Sequence, residues 1–201
     1  MTRPFARTPL RTFNILVAST ALSTATFSPA TFAQSVDCQI TLTSIGPVHL
    51  GMTLQAAKAA WPQASVRLAD GPDNLLVLQV RQGQDLLLSG PLGDRPPAGQ
   101  TLPDSTRLNH LDTFSQRCRD EHGIGPGTKL SDAAARLGGV QDIVMSEIES
   151  RQYVTFQRQP PGRWYRIDES GVFTAGSPRH TTQFQPEARI LSVGIEAAAR
   201  P

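Results

Sequence analysis

The sequence predicts an α+β protein: two tandem units, each a short helix plus an antiparallel meander, with the helices on one face of the sheet. Three observations predict it. Two glycine-led, alanine-rich stretches share apolar residues at helical spacing. Each is followed by short strand-like runs separated by turn clusters. Each helix has only about two to three turns, which is marginal alone and calls for a sheet to lie on.

The chain has 201 residues, 39% of them hydrophobic and 18% charged, enough for a core and too little charge for a disordered chain. It opens with a basic stretch carrying Arg3, Arg7 and Arg11, then an apolar run from Phe13 to Phe27, then Ser28-Pro29-Ala30-Thr31-Phe32-Ala33. That order is the pattern of a secretory signal peptide over residues 1–33, with cleavage after Ala33 expected and Ala30 as the other candidate. The apolar run is shorter than the roughly 20 residues that a membrane span needs. Cys38 follows Ser35-Val36-Asp37, which is no lipid-attachment motif. The expected product begins at Gln34 and is soluble, periplasmic or secreted, with no stable membrane insertion. The formal charge is +2, but without residues 1–33 there remain 16 basic and 17 acidic residues, a net of −1. Near-neutrality gives no electrostatic basis for binding nucleic acid or an anionic membrane.

Cys38 and Cys118 are the only cysteines. In an oxidising compartment the pair predicts one disulfide, Cys38–Cys118; in the cytoplasm it would more often be two buried thiols. Each precedes a helix motif, so the bond would tie two corresponding lead-in strands together.

The first unit covers residues 34–118. Residues 39–45 read as an opening strand. Gly51-Met52-Thr53-Leu54 leads into a helix with Leu54, Ala57 and Trp61 on one face, capped by Thr53 and stopped by Pro62. Strand-like runs follow at 65–68, 75–80, 85–89 and 107–114, with a Pro/Gly-rich loop at 91–104. The second unit covers 119–201. Gly127-Thr128-Lys129-Leu130, 76 positions after its counterpart, leads into a helix with Leu130, Ala133, Ala134 and Leu137. Thr128 or Ser131 is its expected cap, and Gly138-Gly139 its stop. Runs at 142–148, 153–157, 163–168, 172–174 and 190–195 follow.

Gly51-Met52-Thr53-Leu54, the Ala-rich helix and the meander resemble the tandem-repeat domain of beta-lactamase-inhibitor proteins. They also resemble the related small lipoprotein of the outer-membrane barrel-assembly machinery, from which the missing lipid-attachment motif departs. Gly123-Ile124-Gly125-Pro126-Gly127 is similar to a Gly-Ile-Gly-x-Gly turn of uncharacterised exported proteins. The resemblance implies a tandem-repeat fold and a non-catalytic habit of binding other proteins.

Local signatures of chemistry are sparse. In Gly123–Lys129, Thr128 separates the last glycine from the lysine, so the stretch is no phosphate loop. Asp120-Glu121-His122 offers three potential ligands side by side, which rarely converge on one ion, and it reads as a solvated turn. Neither Ser89-Gly90 nor Ser192-Val193-Gly194 forms a nucleophile elbow. Glu147 and Glu149 read as a solvent face. No metal site, cofactor or catalytic residue is therefore expected. The most distinctive stretch is Arg163-Trp164-Tyr165-Arg166, because Trp, Tyr and Arg dominate binding hot spots. On a strand, Trp164 and Arg166 point one way, Arg163 and Tyr165 the other. One aromatic is expected in the core and the other beside an arginine at the surface, with burial of both as the plain alternative. The candidate binding surface is Arg151, Tyr153, Trp164, Tyr165 and Arg166. The expected function is an exported, non-catalytic binding or inhibitory module acting on another envelope protein. The alternatives are an accessory factor in envelope assembly or stress tolerance, and a hydrolase with dispersed catalytic residues.

Overall fold

A computed structural model of the chain describes residues 38–71, 75–97, 100–147 and 150–197. The expected signal peptide and Glu149 lie outside the described residues. The elements, in chain order, begin with β1 (Cys38–Gln39), β2 (Ser44–Ile45), β3 (Val48–His49) and α1 (Leu54–Ala60). Then come β4 (Ser65–Asp70), β5 (Leu75–Gln82), β6 (Asp85–Asp94), β7 (His110–Thr113) and β8 (Cys118–Arg119). The chain continues with α2 (Leu130–Leu137), β9 (Val140–Met145), β10 (Gln152–Phe156), β11 (Arg163–Ile167), β12 (His180–Thr181) and β13 (Ile190–Glu196).

Nine strands form one sheet in the order β12-β9-β10-β11-β13-β7-β6-β5-β4, antiparallel at every pairing. This corrects the expected fold class. Among the described residues the chain is mostly β, with helices of only 7 and 8 residues, and it does not consist of two helix-plus-meander units. The reason lies at the seam. Two separate meanders would leave β7 and β13 with bare N–H and C=O edges. Instead β13 pairs with β7 from Val193↔Thr113 to Glu196↔His110, and strands from both halves share one sheet.

Boundaries shift for local reasons. β6 runs to Asp94 and takes in residues assigned to the Pro/Gly-rich loop. A register shift between Leu76 and Val77 lets Pro91 sit in the ladder opposite Val77. The expected strand at 172–174 is reduced to bridges, Gly171↔Phe184 and Thr174↔Ser177.

Thr53 caps α1 as expected, its hydroxyl accepting from the Ala56 N–H at 3.2 Å. α2 has no side-chain cap. Thr128 turns back to accept from the Gly125 N–H at 3.1 Å. The Leu130 N–H instead donates to the Ala188 carbonyl at 2.8 Å. The same device recurs at α1, where the Leu54 N–H donates to the Thr106 carbonyl at 2.8 Å. At its other end α2 stops on Gly138, whose φ of 84° is the left-handed cap a glycine adopts without strain.

Leu54 and Ala57 of α1, and Leu130, Ala133 and Leu137 of α2, belong to the main buried cluster. The cluster continues on one face of the strands with Leu78, Leu111, Val154, Phe156, Tyr165, Val193 and Ile195. Cys38 and Cys118 belong to the same cluster, and β1 and β8 pair in parallel with Cys38 opposite Cys118. The two cysteines form the disulfide, with their Cα atoms 4.3 Å apart.

The turn after β8 is held by charge rather than solvated. The Arg163 Nη1 donates to Asp120 Oδ2 at 3.0 Å, and neither side chain has exposed surface. The other Asp120 oxygen accepts from the N–H groups of His122 (2.9 Å) and Ile124 (2.8 Å). The Tyr165 hydroxyl lies 3.4 Å from the same carboxylate, and burial pushes its phenol pKa up.

Candidate functional site

Alternation along each strand sends every second side chain to the sheet face opposite the buried cluster. There β11 presents Trp164 and Arg166, β10 presents Tyr153, and β7 presents His110 and Asp112. In register, Trp164 sits opposite Gly194 of β13, and Gly194 sits opposite Asp112. The Trp164 indole lies across Gly194 so closely that a Cβ there would overlap the ring. A glycine inside a strand is the residue such an approach requires. The ring packs between His110, centroids 5.2 Å apart, and Tyr153, centroids 5.6 Å apart and edge-on.

These side chains line a cleft of about 540 Å³ across the middle of the sheet. Leu75, Val77, Pro91 and Phe114 form its apolar walls, while Arg151, Arg166, Asp112 and Glu196 supply charge. Four polar atoms at this place are shut off from solvent without a hydrogen-bond partner: Asp112 Oδ1, Trp164 Nε1, Arg166 Nε and Ser192 Oγ. Each unmet group of this kind costs about 1–3 kcal/mol. Buried unmet groups are rare in proteins and tend to gather where function tolerates them. Ser192 reaches this face because a register shift in the β11–β13 ladder lets both Ile190 and Val193 face the core.

Burial raises the Asp112 pKa from its ordinary value to about 8; the neighbouring Ser192 hydroxyl and the Arg166 guanidinium offset this only in part. The Ser192 hydroxyl stands beside the carboxyl without completing a bond of hydrogen-bond geometry. Asp112 therefore carries a proton at neutral pH. Burial also lowers the His110 pKa, against the opposing charge of Glu196, so the imidazole is neutral there.

An acid whose folded pKa is raised stabilises the fold fully below its ordinary value and loses that contribution as pH climbs to the folded value. For Asp112 the window runs from about pH 4 to about pH 8. Asp112→Asn should remove this slope and leave the variant about 2–5 kcal/mol more stable than the parent at pH 9, relative to their difference at pH 4. Urea unfolding of both proteins at each pH gives the difference. A difference that stays constant from pH 4 to 9 would mean that Asp112 ionises normally.

Of the expected surface, Arg151, Tyr153, Trp164 and Arg166 all line this cleft. Tyr165 does not: it has no exposed surface and stacks edge-on against Phe156 in the core, centroids 5.2 Å apart. Its hydroxyl points to the Asp120–Arg163 pair, which is why the second aromatic of the strand is buried. Sequence reading missed His110, Asp112 and Glu196. They stand on strands far away in sequence, and only the β7–β13 pairing brings them to Trp164. One signal was available: Gly194 stands between Val193 and Ile195 inside a strand-like run.

No family model matches the chain, and no curated protein sequence matches it. Among solved structures, the uncharacterized protein yfeY from Escherichia coli superposes with a TM-score of 0.53, covering 79% of this chain and 99% of that one at 13% identity. At that identity the likeness shows the fold and no activity. The resemblance to beta-lactamase-inhibitor proteins gains no support from it.

Proposed function

We propose that the chain is an exported, non-catalytic binding module that engages another extracytoplasmic protein through the cleft on the open face of its sheet. One observation carries this reading: an aromatic cluster of Trp164, Tyr153 and His110 surrounded by buried polar atoms that nothing in the fold satisfies. Anchors of this kind, an aromatic beside an arginine in a partly desolvated hollow, dominate binding energy in protein interfaces. The signal-peptide-like opening and the disulfide support an oxidising location outside the cytoplasm.

The test is affinity capture from envelope extract with the exported protein, Tyr153→Ala, Trp164→Ala and a Leu42→Ala control, each checked by thermal melting. Leu42 is 50% exposed and outside the cleft. A partner should bind the parent and the control, and bind Trp164→Ala about 30-fold more weakly, as loss of a hot spot of roughly 2 kcal/mol requires. If no extracytoplasmic protein depends on either aromatic, the reading fails. The partner's identity would also separate an inhibitor from an accessory factor of envelope assembly.

A second reading rests on Asp112 alone. A carboxylic acid protonated at neutral pH in a cleft has the state that a general acid needs. Ser192 has no exposed surface and offers no accessible nucleophile. The enzyme reading requires hydrolytic turnover that Asp112→Asn abolishes while ligand binding persists.

A further inference from the structure

Independently of the cleft, we infer that the free edge of β4 takes up an extended segment of a partner polypeptide as an added antiparallel strand, with apolar residues facing the helix side and an acidic residue between them. β4 ends the nine-stranded sheet and pairs with β5 through all six of its residues without a register shift. The Gly71 N–H donates to the Leu75 carbonyl at 2.7 Å, and the ladder keeps that register along the strand. Ser65, Arg67 and Ala69 therefore turn their backbone groups to β5, and Val66, Leu68 and Asp70 turn theirs outward. Those outward N–H and C=O groups have no backbone partner among the described residues. Donors and acceptors repeating at every second residue are matched by another extended backbone and by no compact ligand. Natural edges are blunted by shortness, lysine, proline or a bulge. The opposite edge, β12, has only two residues. β4 has six, with no lysine, proline or bulge.

The side chains beside the edge set the chemistry of the added strand. Val66 and Leu68 stand opposite Val80 and Leu78, both in the buried cluster, so they face the helices. Leu68 still has 40% of its surface exposed, because no strand lies beyond it. Next to it is a groove of about 880 Å³ walled by Leu54, Leu76 and Leu102. Apolar residues of an added strand, opposite Leu68 and Val66, would enter there. The charges at the groove are already matched, Lys58 with Asp104 and Arg95 with Asp70, so its demand is apolar. Asp104 belongs to the helix side, where its carbonyl accepts from the Gln55 N–H at 3.1 Å. On the other face Arg67 is exposed. Its Nε and Nη2 donate to the neutral Gln79 Oε1 at 3.3 and 3.1 Å, and it pairs with no carboxylate among the described residues. The added residue opposite Arg67 lies between the two apolar ones, and an acid there forms a favourable cross-strand pair.

The probe is the peptide acetyl-Thr-Thr-Val-Glu-Val-Thr-amide, whose valines would meet Leu68 and Val66 and whose glutamate would meet Arg67. Amide exchange and chemical shifts of the 15N-labelled, disulfide-bonded protein read the edge directly. Without peptide, the N–H groups of Val66, Leu68 and Asp70 should exchange faster than those of Arg67 and Ala69. The peptide should protect the first three saturably and leave the other two as they were. N-methylation of its first valine, whose N–H would bond β4, should weaken binding at least about 10-fold. N-methylation of the glutamate, whose N–H would point away from β4, should leave binding as it was. Lysine in place of the glutamate should weaken binding about 5-fold. Leu68→Pro removes the central outward N–H and keeps the bonds to β5, so it should abolish binding in a protein that melts like the parent. If that variant misfolds, the two methylated peptides decide on the unaltered protein. No saturable protection, equal binding of the two methylated peptides, or preference for the lysine peptide overturns the inference. So does protection of Val66, Leu68 and Asp70 that rises with protein concentration in the absence of peptide, which would give the edge to a second copy of the chain.

Discussion

Replacing Cys38 and Cys118 together by alanine is expected to lower the unfolding free energy by about 4–4.5 kcal/mol. The bond closes a loop of 80 residues, and restricting a loop of that length in the unfolded chain has about this value in the entropy model. The fold itself is ready for the bond, because β1 and β8 hold the two Cα atoms 4.3 Å apart in register. The cost is a large share of a typical domain stability of about 5–15 kcal/mol. The melting temperature should fall by about 10–15 °C, given roughly 2–4 °C per kcal/mol for a chain of this size. Urea unfolding of the parent, the double variant and the parent under reductant checks it. The last two should agree within about 1 kcal/mol. A loss below about 1 kcal/mol in both would show that residual structure in the unfolded chain already keeps the two ends of the loop together.

Arg163→Met should destabilise the protein by about 3–5 kcal/mol, because it strands a carboxylate in the core. Asp120 has no exposed side-chain surface, and Arg163 is its ion-pair partner. Glu121, with 46% of its side chain exposed, shares the guanidinium and can turn to water when it is lost. Asp120 cannot. The double variant Asp120→Asn/Arg163→Met should recover part of the loss, since the buried charge is then gone. Chemical unfolding of the two single variants and the double supplies the cycle. Strict additivity would mean that the two side chains do not share their energy.

Much of the local structure was legible in the sequence. The helix starts at Leu54 and Leu130, the Thr53 cap, the stop at Gly138 and the disulfide all follow from short-range chemistry, where spacing and residue type suffice. The opposed directions of Trp164 and Tyr165 followed from the strand period alone. What could not be read was the partner of each strand. Helical spacing at Leu54 and Leu130 suggested two units, but no residue pattern states that β13 closes on β7 rather than leaving an edge. The site inherits that limit. Trp164 was visible as a hot-spot residue, whereas Asp112, His110 and Glu196 became its neighbours only through that pairing. Asp120 misled in the same way: Asp-Glu-His reads as a wet turn until Arg163, 43 positions on, closes over it.

The place of β13 has a consequence for the order in which the protein is made. It is the last strand of the sheet in sequence, yet it lies in the middle, between β11 and β7. As the chain emerges from its N-terminal end, β4 to β7 and then β9 to β11 can assemble, each group with one hydrogen-bond-hungry border that only the last strand will cover. Those borders are β7 and β11, and they are joined only when Ile190–Glu196 arrives. Until then the nascent molecule carries two templates for pairing with other chains. A ribosome stalled before residue 190, or a protease that trims the strand, would leave them exposed. β13 is a keystone, and until it arrives the half-built sheet has to be guarded by something other than its own strands.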